Sequence, residues 1–190
     1  MATKKHVPWV FLAMILATVA ALGVSALTPH KADAGLVTAR TCGGGSIEVT
    51  NTEKNMLERH NRTRNRHGLK ALCVSRALTS AARAHSQDML NKDYASHNSL
   101  SGESVKQRLV RYGYTSSGYS YYAIGENIAW GCGSHGSPGY IFDWWMHSSA
   151  HRSNILNKKF RQVGIGARTG TFKTCRQATM YTVDFGTRRR

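Results

Sequence analysis

The sequence predicts an α+β domain, helices first and a β-hairpin last, and three observations predict it. Helix-start signals recur along the chain, at Thr50 with Glu53, at Ser75 and at Ser137-Pro138. Apolar residues after them return at intervals of three and four. The last third instead carries two strand candidates, 161–167 and 179–185, parted by a loop with Gly170 and Cys175. At 190 residues the length suits one domain, and 41% hydrophobic residues with only 3 Pro exclude a disordered or collagen-like chain.

Taken in order, Lys4 and Lys5 precede an apolar run from Val7 to Leu27, and Ala32-Asp33-Ala34 precedes Gly35. This has the form of a secretory signal, residues 1–34, cleaved after Ala34. An uncleaved anchor is the alternative, since 10–27 is just long enough to span a bilayer. Residues 35–50, rich in Gly and Thr, read as a flexible lead-in to a domain at 51–187. The capping box at Thr50 and Glu53 opens a helix to about His67, with Gly68 as its stop; its Arg59, Arg62, Arg64 and Arg66 read as a solvated basic face. Ser75 caps a second helix whose stripe is Leu78, Ala82, His85 and Met89, so His85 is expected in the core. A third helix is expected from about Ser101 to Gly113, an extended segment over 121–130, and a fourth helix through Trp144 and Trp145. Arg188, Arg189 and Arg190 read as a mobile basic tail.

Lys plus Arg number 26 against 10 Asp plus Glu, a formal charge of +16. Charged residues are only 19% of the chain, below the usual ~25%, so acids are scarce more than bases abundant. Removing the leader takes away Lys4, Lys5, Lys31 and Asp33 and leaves +14. Cys42, Cys73, Cys132 and Cys175, an even number in an exported chain, read as two disulfides with all three connectivities open.

Chemistry-bearing residues gather in four stretches: 84–89 (Ala-His-Ser-Gln-Asp-Met), 95–98 (Ala-Ser-His-Asn), 125–131 (Gly-Glu-Asn-Ile-Ala-Trp-Gly) and 145–156, which runs from Trp145-Met146-His147-Ser148 through His151-Arg152 to Ile155-Leu156. Zincin, phosphate-loop and nucleophile-elbow motifs are absent from the sequence. Spacing alone does not bring His97, Glu126 and His151 together, and His151 is expected at a helix end, where a cation suits the dipole.

In order and spacing the four stretches resemble the CAP superfamily (the SCP domain), which includes cysteine-rich secretory proteins, antigen 5 and plant pathogenesis-related proteins. The likeness is to its bacterial branch and covers about 51–186. It implies an α-β-α sandwich with a central antiparallel sheet and a cleft where His97, Glu126 and His151 converge. Ser148 stands where animal and plant members carry a second glutamate, and His147 where bacterial members often have Asn. Asn127, His85, Ser148 and His147 are therefore secondary cleft candidates.

Two imidazoles and a carboxylate, if they converge, suit Zn²⁺ or another divalent ion with a position open to water. Three functional classes follow. First comes a binding module for a lipid or other small apolar ligand, in line with what the resemblance implies. Second comes a hydrolase using metal-bound water or a serine near His97 or His151, the catalytic residues unassigned. Third comes a basic adhesin held by anionic cell-envelope polymers, with nucleic acid ranked below. A secreted monomer is expected in each case.

Overall fold

Two short strands, β1 (Leu36–Arg40) and β2 (Ser46–Thr50), pair antiparallel at the start of the computed structural model, which describes residues 35–190. The expected leader, 1–34, lies outside the described residues. The hairpin corrects the expected flexible lead-in. Val37, Ala39, Ile47 and Val49 alternate along the strands, and Ala39 and Val49 are buried with Val74. Gly44, at φ +86°, makes the turn, and the Cys42–Cys73 disulfide ties the hairpin to the short strand β3 (Cys73–Val74).

Helix α1 (Asn51–Arg66) begins at the predicted capping box, with both hydrogen bonds formed between Thr50 and Glu53. Its Arg64 departs from the expected solvated face. It is fully buried and donates to the carbonyls of Lys70, Ile155, Asn157 and Phe160. Helix α2 (Arg76–Asn91) follows its Ser75 cap and buries Leu78, Ala82, His85 and Met89, as the stripe predicts. Helix α3 (Val105–Arg111) starts later than expected because Ser104 and Gln107 form the capping box there. The residues 92–104 before it are loop and carry His97.

Strand β4 (Tyr121–Cys132) leads to α4 (Pro138–His147). Extended backbone at Ser148 (φ −96°, ψ 120°) then separates α4 from a fifth helix, α5 (Ser149–Ile155). His151 therefore lies in the first turn of a helix, not at a helix end as expected. Strands β5 (Gln162–Phe172) and β6 (Cys175–Arg189) close the fold in a hairpin longer than predicted, because the segment with Gly170 and Cys175 pairs as well. The second disulfide, Cys132–Cys175, ties β4 to β6.

The expected tail is also corrected. Arg188 and Arg189 are paired in β6, with the Arg188 guanidinium 4.2 Å from the Tyr114 ring centre and that of Arg189 4.3 Å from Tyr121's. Cation–π attraction holds them.

The four-stranded sheet runs β3-β5-β6-β4, antiparallel except for the two-residue β3–β5 pairing, with β4 at one edge. Its two faces are covered by different helices. Val163, Ile165, Tyr181, Val183 and Phe185 point to α1, α4 and α5, packing on Met56, Phe142, Trp145 and Ile155. Met180 and Ala178 point to α2 and meet Met89 and Leu90. At Gly164 and Gly166 the α2 backbone touches the sheet, for a Cβ there would fall 2.0 Å from Leu78 and 2.4 Å from Ala82 backbone atoms. The result is the predicted α-β-α sandwich. Among the described residues, no helix is long and apolar enough to cross a membrane.

Candidate functional site

Glu126 sits in the edge strand β4, directly opposite Asp184 of β6, on the face covered by α2 and α3. Gly125 before it is dictated by crowding on the other face, where a Cβ would lie 2.9 Å from Asn154 Oδ1 and from Phe160. The Glu126 carboxylate is buried and both oxygens are engaged. His97 Nδ1–H donates to Oε1 at 2.7 Å, and Arg108 Nη2 donates to Oε2 at 2.5 Å. Arg108, itself 1% exposed, also donates to the His97 carbonyl at 3.1 and 3.2 Å, so one guanidinium fixes both the acid and the loop carrying the imidazole.

His85 supports that loop from below. It is buried on α2, as expected, and Nε2 lies 2.8 Å from the Ser96 carbonyl. Burial and the Arg108 charge push its pKa down, so the ring is neutral and donates Nε2–H.

His151 lies across the edge strand from Glu126, joined to it by no direct contact among the described residues, though near enough to His97 for that ring's charge to act on it. Its ring packs on Trp144 at 5.0 Å and Trp145 at 6.3 Å, and its Nδ1 is 2.7 Å from Ser148 Oγ. Asn127, next to Glu126 but pointing the other way, donates to the His151 carbonyl at 3.0 Å and accepts from Asn154 at 2.8 Å. Trp145 is core and donates to the Ile128 carbonyl, whereas Trp144 is 51% exposed. His147 is the candidate that does not join the cluster. It is exposed on α4 and bonds its own helix at the Asp143 carbonyl.

The charges follow from these contacts. The Glu126 hydrogen bond holds the His97 pKa above its ordinary value, against partial burial. Burial pushes Glu126 up, but the His97 bond and the Arg108 charge outweigh it and keep the carboxyl ionised. Burial and the nearby His97 charge depress His151. Asp184, buried beside Glu126, is pushed well up by burial and by Glu126's charge, and no donor reaches either oxygen among the described residues.

The expected three-ligand Zn²⁺ site does not fit this arrangement. Glu126 has no free oxygen to offer, a guanidinium adjoins it, and no set of three His, Cys, Asp or Glu is placed to hold a metal among the described residues. Sequence reasoning missed Arg108 and Asp184. Each had a signal: Arg108 follows the Ser104–Gln107 capping box beside Leu109, and Asp184 falls in a strand apolar on both faces.

Comparisons with known proteins place the fold in a family. The model of the cysteine-rich secretory protein family (CAP) matches residues 57–185. The Bacillus subtilis (strain 168) protein YkwD is 37% identical over 139 residues, which cover 73% of this chain and 51% of that protein. The membrane protein YlbC of the same organism is 32% identical, covering 62% of this chain and 32% of its own length. The chain thus spans about half or less of these curated relatives. Among solved structures, an extracellular SCP-domain protein from Bacillus anthracis is similar with TM-score 0.57 and 28% identity, over 73% of this chain and 40% of that one. An outer surface protein of Borrelia burgdorferi shares the fold, with TM-score 0.60 and 19% identity over 73% of this chain and 96% of that one. With four motifs in order, a sandwich that assembles them and a family match over most of its length, this chain belongs to the CAP family of cysteine-rich secretory proteins.

Proposed function

We propose that the chain is an extracellular binding module that holds a small amphipathic, lipid-like ligand at the cleft of His97, Glu126 and His151. The observation that carries this reading is the double commitment of Glu126 to His97 and Arg108. A carboxylate so held is a poor general base and a poor ligand, but it makes a rigid, preorganised polar floor. On the His151 side, the half-exposed Trp144 indole offers a flat apolar platform, and the exposed edge of His97 offers one polar contact. One polar head and one apolar body match that pairing. Export is supported by the two disulfides and by the extracellular relative from Bacillus anthracis.

Titration of delipidated protein with dodecanoate and with a sterol, followed by tryptophan fluorescence, tests the reading. Saturable uptake weakened ~10-fold in Trp144→Ala, about 1.4 kcal/mol, is expected. No saturable uptake of either ligand counts against it.

One observation favours a second reading, a serine hydrolase. Ser148 Oγ and His151 Nδ1 are within nucleophile–base reach at 2.7 Å, and the depressed His151 pKa keeps the ring a neutral base. Against it, no carboxylate orients the other ring nitrogen among the described residues, and the two residues sit three apart at a helix start, where such a contact arises locally. Turnover of an ester substrate that Ser148→Ala abolishes would establish it.

A further inference from the structure

A pocket of about 280 Å³ opens between α1 and α4, and none of the cleft residues lines it. Arg59, Arg62 and Arg66 of α1, with His67 just beyond, form one wall; Phe142 and Met146 of α4 face them. The three arginines are spaced by three and four residues, so they share one stripe of the helix and repel one another. None of them forms an ion pair among the described residues, although Asp143 also borders the pocket. Arg59 is fixed in place. Its Nε donates to Asn55 Oδ1 at 2.8 Å, and its guanidinium lies on the α4 backbone, where a Cβ on Gly139 would come within 2.9 Å of Nη2. That sets a cation against the first turn of a ten-residue helix whose N-terminus is itself positive. Positive potential from three guanidinium groups thus converges on one concavity with a single lining carboxylate, Asp143.

We propose that this pocket binds a phosphate group of an extracellular polyol polymer linked by phosphodiesters. Guanidinium forks match paired phosphate oxygens as they match carboxylates, and a phosphodiester chain repeats such a charge at each linkage, matching more than one arginine at once. Half-buried Met146, over the buried Phe142, gives the short carbon backbone between phosphates an apolar contact that a purely ionic patch lacks. The site is concave and recessed between two helices, so it suits a flexible single chain better than the plane of a bilayer or a stiff duplex. It is independent of the cleft reading, because none of the residues changed below touches His97, Glu126 or His151.

Calorimetric titration of the whole chain with a poly(glycerol phosphate) oligomer at 0.15 M salt tests the proposal. Saturable binding is expected, weakened at least ~10-fold in Arg62→Gln/Arg66→Gln and changed less than ~2-fold in Arg40→Gln/Arg176→Gln, an equal loss of charge elsewhere on the surface. Both altered pairs are exposed, and a circular-dichroism melt confirms that each variant folds. Equal weakening in the two variants means diffuse charge and overturns the site. Tighter binding of phosphatidylglycerol vesicles or duplex DNA than of the polymer, through the same arginines, overturns the polymer as the occupant.

Discussion

Asp184 and Glu126 face each other across two strands with only one guanidinium, Arg108, between them and charge balance. Two buried carboxylates and one cation are stable when one acid keeps its proton, and burial with Glu126's charge selects Asp184. Because its native pKa is raised, the stability it contributes is full below the ordinary carboxylate range and declines as pH rises toward the native value. Asp184→Asn, a mimic of the protonated acid, is therefore expected to be neutral at pH 4 and to raise stability at pH 7.5 by on the order of 1 kcal/mol. Urea melts at the two pH values check it; a loss at pH 7.5 would mean that the carboxylate is charged and paired. His60 has the opposite sign. Burial among Phe142, Trp145 and Phe185 pushes its pKa down to about 4, so the neutral ring stabilises the fold above pH 6.5 and that contribution drains away as pH falls toward 4. The total is about 3 kcal/mol, and His60→Leu should flatten that slope. His97, whose pKa is raised, works against it: its contribution is full below 6.5 and is lost as pH rises past its native value. These buried polar residues were the least legible part of the sequence. The capping box before Arg108 marks a helix start but not a buried guanidinium, because the guanidinium's partners are non-local, 18 residues away at Glu126 in β4 and 11 away at the His97 carbonyl. His85 was legible, since its helical stripe alone places it in the core.

Between elements, contacts of backbone on backbone and of backbone on Arg64 set the geometry of the cleft. Gly164→Ala must push α2 off the sheet, since the new Cβ meets main chain and not a flexible side chain. A loss of about 3 kcal/mol or more is expected, measured by thermal unfolding. Arg64→Met takes the side-chain donor from the Ile155 carbonyl at the end of α5 and one of two donors from the Asn157 and Phe160 carbonyls in the loop after it, and a loss of about 2–4 kcal/mol is expected there. Because α5 carries His151, that variant should also disturb the cleft, seen as a shifted His151 resonance. Helices α1, α2 and α4 were legible because their caps are local, Thr50 with Glu53, Ser75, and Ser137 with Pro138. The β1–β2 hairpin and α5 were not. Val37, Ala39, Ile47 and Val49 bury one face only because β3 and α1 come to meet it, and α5 is seven residues long and lacks a side-chain hydrogen bond to its own backbone N–H groups at the cap.

On the scale of the whole molecule, the excess charge is not spread as one coat. Arg64 and Arg108 are core, Arg83 and Arg168 pair with the buried Glu53, and Arg188 lies on tyrosines. Arg62 and Arg66 remain among the cations free to attract a polyanion, which localises an effect that composition assigns to the entire surface. The two disulfides close loops of 31 and 43 residues, each worth about 4 kcal/mol in the chain-entropy model. Reduction is therefore expected to lower the melting temperature steeply while leaving the order of events in pH unfolding unchanged.

The cleft depends above all on Glu126 being a fixed counter-ion. The most direct test is an NMR pH titration of the His97 ring in the wild type and in Glu126→Gln. The Glu126 contacts predict a His97 pKa above 6.5 in the wild type that drops in the variant, together with a loss of stability of about 3–5 kcal/mol as Arg108 is left buried without its partner. A His97 pKa at or below 6.5 that the substitution does not move would contradict that role for Glu126.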